Sequence, residues 1–110
     1  MKESELERIL AEEVKKEGGK AYKWVSPGNA GVPDRIIFFP GGEIYFVELK
    51  TEAGTVGGLQ STQIRNLRKL GQQAVIVKGI AGLIGFFRDI GRDHVANRLM
   101  KRYAEGVIRK

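Results

Sequence analysis

Leu6, Ile9, Leu10 and Val14 recur at three- and four-residue spacing, the period of a helix with one buried face. Ser4 followed by Glu7 fits a capping box, and the glycines at 18 and 19 stop the run. A helix is therefore predicted from Ser4 to about Gly18. The pattern then changes. KAYKWVS (20–26) reads as a short aromatic strand and PGNAG (27–31) as a loop. DRIIFF (34–39) and EIYFVELK (43–50) are two strands joined by the turn PGG (40–42), which together make a hairpin. Because IIFF is continuous and not alternating, the sheet is expected to be covered on both faces.

TEAGTVGG (51–58) is a glycine-rich loop. Leu59 to Leu70 has helical spacing, with Leu59, Ile64, Leu67 and Leu70 as its apolar set and Gly71 as its stop. QAVIVK (73–78) is a further strand. Glycines at 79 and 82 are read as a turn into the short helix LIGFFRDI (83–90), and a last helix runs from about Asp93 to Ile108. Helix, three strands, helix, strand, helix, helix is the order of a small α/β sandwich in which a hairpin feeds a crossover helix. No repeat or long linker divides it, so residues 1–110 are expected to form one domain, with 80–110 as a helical C-terminal extension.

The hairpin carries the candidate chemistry. If Gly41 and Gly42 form the turn, Phe39 pairs near Glu43 and Asp34 near Glu48. Glu48 and Lys50, two apart in a strand, point to the same side. Two carboxylates side by side repel unless something positive sits between them. A divalent cation answers that need, with Lys50 as a second positive partner and the Leu49 carbonyl as a further oxygen ligand. Such a set suits hydrolysis of a phosphodiester. The alternative is that strand-end charges are solvated flanks or guards of an edge.

Composition narrows the options. The chain has 110 residues, 42% apolar and 29% charged, so it can build one small core. That argues against a pocket deep enough for a large cofactor. With no cysteine and a single histidine, His94, disulfides, thiolate catalysis and zinc sites of cysteine or histidine are excluded. A metal would be held by carboxylates, which favours magnesium or manganese. Net charge is +6, which biases the chain toward polyanions. No signal peptide or membrane span is visible, so a cytoplasmic protein without a membrane partner is expected.

Pro33-Asp34 followed by Glu48-Leu49-Lys50 resembles the motif of the PD-(D/E)xK nuclease superfamily. The stretch from KAYKWVSPGNAGVPD to GGLQSTQIRNLRKLG is similar to the VRR-NUC domain in its small stand-alone phage and bacterial form, and the resemblance runs from about Glu3 to Lys78. It implies an α/β, restriction-endonuclease-like core with a mixed central sheet flanked by helices. It also implies magnesium-dependent cleavage of DNA, with manganese as a substitute, in a bacterial or phage-infected cell. By resemblance, Asp34 and Glu48 are metal ligands, Lys50 is the catalytic lysine, and Gln60 is a side chain that bonds Lys50 or a phosphate. A glutamate from the first helix completes the set: Glu7 is preferred and Glu3 is the alternative, although the capping box explains Glu7 without a metal. The family also implies a homodimer acting on branched DNA such as junctions or flaps. A non-catalytic module binding structured DNA on the same fold is the competing function.

Other residues have two readings each. Lys23, Ser26 and Asn29, near the proposed site, and Arg98, Lys101 and Arg102, clustered on the last helix, are candidate phosphate contacts or solvated side chains. Arg35 should point away from Asp34 and be structural or interfacial, not catalytic. Trp24 is read as core before base-stacking. His94 is read as a surface residue or an interhelical hydrogen-bond partner.

Overall fold

The computed structural model describes residues 1–108; the last two positions of the expected C-terminal extension lie outside the described residues. The elements are α1 (Glu3–Lys16), β1 (Lys20–Lys23), β2 (Arg35–Phe39), β3 (Glu43–Lys50), α2 (Gly58–Lys69), β4 (Ala74–Lys78), α3 (Gly79–Asp89) and α4 (Asp93–Ala104). The strands form one sheet in the order β1-β2-β3-β4. The first two pairings are antiparallel and the last is parallel, so this is a mixed α/β sheet. The parallel pair needs a crossover, and α2 supplies it.

Strand alternation sorts the sheet into two faces. Ala21, Ile37, Tyr45, Val47, Leu49 and Val77 are buried on one face under α1 and α3. Leu6, Ile9, Leu10 and Val14 of α1 and Leu83, Phe86 and Phe87 of α3 meet them there, and α4 adds Val95, Ala96 and Leu99. Residues beyond position 80 therefore supply much of the core.

The other face is only half covered. The segment α2 lies over the β3–β4 side, where Ile64 and Ala74 are buried. Over β1, β2 and the start of β3, Tyr22 is 54% exposed, Phe38 40% and Ile44 36%. This corrects the expectation of a sheet covered on both faces: continuous IIFF buries Ile37 and Phe39 but leaves Phe38 open. The α2 stripe is also narrower than its spacing predicts, with Leu59 and Leu70 exposed and Ile64 alone buried.

Three boundaries differ for local reasons. α1 begins at Glu3 with Lys2 as its cap residue and no side-chain cap, so Ser4 is already helical and no capping box with Glu7 forms. Gly82 lies inside α3, against Val77 of β4, where its missing Cβ permits close packing; only Gly79 marks the turn. α4 ends at Ala104, although Ile108 still folds back and is buried.

Candidate active site

The hairpin register is the one that the turn predicts. Phe39 pairs with Glu43 and Arg35 with Val47, which sets Asp34 beside Glu48. The Leu49 N–H donates to Oδ2 of Asp34 at 3.0 Å. A strand residue's N–H and C=O leave on the same edge, so the Leu49 carbonyl opens toward the Asp34 side as well.

Glu48 is 1% exposed. Its Oε2 accepts a hydrogen bond from Nε2 of Gln60 at 2.6 Å, and Nζ of Lys50 lies 3.5 Å from the same oxygen. Its Oε1 is buried without a hydrogen-bond partner among the described residues. Burial, and next the charge of Asp34, push the Glu48 carboxyl up to about 7, against the pull of Lys50. A carboxyl so placed lacks positive charge on its Oε1 side. That vacant valence, the neighbouring carboxylate and the Leu49 carbonyl suit a hard divalent cation, which binds through one or two carboxylates and keeps other positions for water and phosphate.

Gln60 departs from its expected partners. Its Nε2 goes to Glu48, not to Lys50, and its Oε1 accepts the Gly57 N–H at 3.1 Å. The free N–H groups at the start of α2 explain the second bond. Gly31 locks the loop before Asp34 onto the same helix end. It adopts φ +84°, and a Cβ there would sit 2.7–2.9 Å from backbone atoms of Leu59 and Gln60. The Gln63 side chain adds a bond to the Ala30 carbonyl at 3.1 Å.

The first-helix glutamates are not brought to this pair. Glu7 accepts a hydrogen bond from Nε of Arg35 at 3.0 Å, on the face opposite Glu48, and Glu3 is exposed. Among the described residues, no group of three or more acidic or histidine side chains is gathered as a metal cage. Glu7 and Glu3 are thus not gathered with Asp34 and Glu48 among the described residues, and Glu7 is paired with Arg35. Arg35 also donates to the Ala21 carbonyl at 3.2 Å, the structural role expected of it.

The candidate phosphate contacts are dispersed. Lys23 pairs across the sheet with Arg35, so it shares the Arg35 face and not that of Glu48. Asn29 and Ser26 bond each other at 3.0 Å within an exposed turn. Lys101 is exposed, whereas Arg98 and Arg102 donate to Glu13. Trp24 is half-buried against Phe46, with ring centroids 5.4 Å apart. His94 is mostly exposed and bonds Glu17 at 2.6 Å, the interhelical contact expected of it.

The Glu13 cluster went unread in the sequence. Glu13 is 0% exposed and accepts bonds from Nε of Arg98 and from Nη1 of Arg102, both at 2.9 Å, and from Lys16 at 3.3 Å. Burial pushes its carboxyl up, but Arg98 and Lys16 outweigh that and hold it below the usual carboxylate range. The signal was present: Glu13 falls on the stripe of Leu6, Ile9 and Leu10, where an apolar residue is due.

Comparison with known proteins decides the family. Two solved structures share the fold. One described as "VRR_NUC domain" has a TM-score of 0.66 at 24% identity and covers 92% of this chain and 96% of its own. Another, described as "VRR_NUC domain protein", has a TM-score of 0.63 at 19% identity, covering 81% and 87%. The protein "Putative nuclease p44" of Acyrthosiphon pisum secondary endosymbiont phage 1 is 42% identical over 77 residues, 70% of this chain and 83% of the relative. The chain has the VRR-NUC domain fold and belongs to the family of this phage relative. No family model matches it in a scan of such models. Asp34, Glu48 and Lys50 stand together at the end of the hairpin. No helix among the described residues is long and apolar enough to cross a membrane.

Proposed function

We propose that the chain is a magnesium-dependent endonuclease that hydrolyses DNA phosphodiester bonds and selects its substrate by DNA structure. The observation that carries this reading is the buried Glu48 beside Asp34, with Oε1 unpartnered and Lys50 next to it. A bound magnesium ion would be held by Asp34, Glu48 and the Leu49 carbonyl; it would polarise the phosphate and acidify a water.

The chain's own groups do the positioning. The Leu49 N–H fixes the Asp34 carboxylate and Gln60 fixes that of Glu48, so the pair is oriented before substrate arrives. Lys50, half-enclosed beside Glu48, presents its ammonium to the phosphate oxygens as charge develops on them. In hydrolysis the oxygen of water bonds to phosphorus, the bond to one sugar oxygen breaks, and that oxygen takes up a proton. Without a base-reading motif, recognition rests on the backbone and shape of the DNA.

The acting unit in this reading is a homodimer. Two copies of the same net charge, +6, meet most favourably through uncharged surface. The open half-face of Tyr22, Phe38 and Ile44 is the largely apolar candidate, with Lys20 over the Tyr22 ring as the charge it carries. A two-fold dimer would present two sites to a branched duplex.

A labelled panel of single strand, duplex, flap, splayed arm and four-way junction tests the proposal, each with magnesium, manganese or EDTA. Metal-dependent cutting that is lost in the Asp34→Asn, Lys50→Ala double variant is the expected result. DNA binding with no cutting of any substrate would instead favour the non-catalytic module.

A further inference from the structure

The parallel register between β3 and β4 brings a second lysine to the site. Lys78 is the cross-strand partner of Lys50, and Ile76 is that of Glu48. Residues opposite one another on adjacent strands project from the same face, and neighbouring strands lie about 4.8 Å apart. Lys78 is therefore on the face of Glu48 and Lys50, while Val77 is buried on the other. Like charges placed directly opposite destabilise a sheet. Lys50 has a counter-charge in Glu48. Lys78 is exposed and makes no ion pair or side-chain hydrogen bond among the described residues.

Lys78 is the last residue of β4. Gly79 follows at φ +63°, and a Cβ there would fall 2.5–2.7 Å from the side chain of Glu52. Glu52 is thus pressed against Gly79 and forms no ion pair with Lys78. The result is an exposed ammonium at a strand end with no ion pair among the described residues, beside a lysine already paired with a carboxylate.

We propose that Lys78 is a second phosphate-binding residue of the site, contacting a backbone phosphate of the DNA next to the one that is cut. This rests on the endonuclease reading above. Lys50 serves the scissile group, while Lys78 holds the strand in place, so its loss should be felt in binding and not in the chemical step.

The test uses the full chain as wild type, Lys78→Ala, Lys78→Arg and, as a control for lost charge alone, Lys15→Ala on α1. Binding to a labelled four-way junction is measured by fluorescence anisotropy in EDTA across a salt series, and cleavage kinetics are measured in magnesium. Lys78→Ala should weaken binding about fivefold to tenfold and lower the slope of log Kd against log salt by about 1, the loss of one phosphate contact. KM should rise by the same factor while kcat holds within about twofold. Lys78→Arg should recover most of the loss, and Lys15→Ala should leave the slope unchanged. An unaltered slope and KM in Lys78→Ala overturn the proposal. So does a fall in kcat alone, or a slope change shared equally by Lys15→Ala. Wild-type protein that neither binds nor cuts the junction removes the endonuclease reading first, and that failure is seen before any variant is compared.

Discussion

Glu13 and Glu48 are equally hidden from solvent, at 0% and 1% exposure, yet the protein treats them in opposite ways. Glu13 is surrounded by Arg98, Arg102 and Lys16, and its carboxyl titrates below the ordinary range. Glu48 has Gln60 and one lysine on a single oxygen, an acid beside it and no hydrogen-bond partner on the other oxygen among the described residues, and it rises to about 7. A buried charge must be paired or must give up its charge. Glu13 is paired, so it clasps α1 to α4. Glu48 is left with an unsatisfied oxygen, and the proposed cation site rests on that difference.

The comparison breaks most sharply at Lys50. Lys50→Ala should lower the cleavage rate by about a hundredfold to ten-thousandfold, as read from single-turnover cutting, while circular dichroism shows a folded chain. A normal rate would remove Lys50 from the chemistry. Next in size is Glu13→Ala. It leaves two arginines without their buried partner and should cost about 3–5 kcal/mol in urea unfolding, with Asp34 and Glu48 untouched. A loss below about 1 kcal/mol would show that the clasp is ornamental.

Glu48→Gln should act in the other direction. Between 4.5 and about 7, the folded state holds a proton at Glu48 that the unfolded state has released. Stability of the metal-free protein therefore falls as pH rises through that window. The variant should be more stable than wild type at pH 8 by up to about 2 kcal/mol and should lose that advantage near pH 5, as followed by thermal melts. Glu13 gives the reverse dependence, its contribution being lost as pH falls below the ordinary carboxylate value. The smallest effect is expected at Glu7. Glu7→Gln weakens the link to Arg35 and should lower cleavage by less than about tenfold without changing metal affinity. A loss of metal binding there would instead make Glu7 a ligand.

Much of the site was legible because a three-residue hairpin connection fixes register. Once Phe39 faces Glu43, Asp34 must stand beside Glu48, and Arg35 must face away. Element order was legible from spacing alone. Coverage of the sheet was not, because periodicity shows which residues are apolar and not which find a neighbour; Phe38 and Leu59 stayed open for that reason. The Glu7–Arg35 and Glu13–Arg98 pairs join residues 28 and 85 positions apart, beyond the reach of any local pattern. Only the acid on the α1 stripe hinted at the second. Gln60 was found through resemblance, but its partner was set by geometry.

The central claim is that Glu48 must be ionised to complete a cation site with Asp34. Calorimetric titration of the wild-type protein with manganese from pH 6 to pH 8 tests it most directly, with Glu48→Gln alongside. The account predicts affinity rising by up to about tenfold per pH unit below about 7 and levelling above it, with a proton released on binding, and little binding by the variant. Affinity independent of pH, or equal binding by Glu48→Gln, would contradict it.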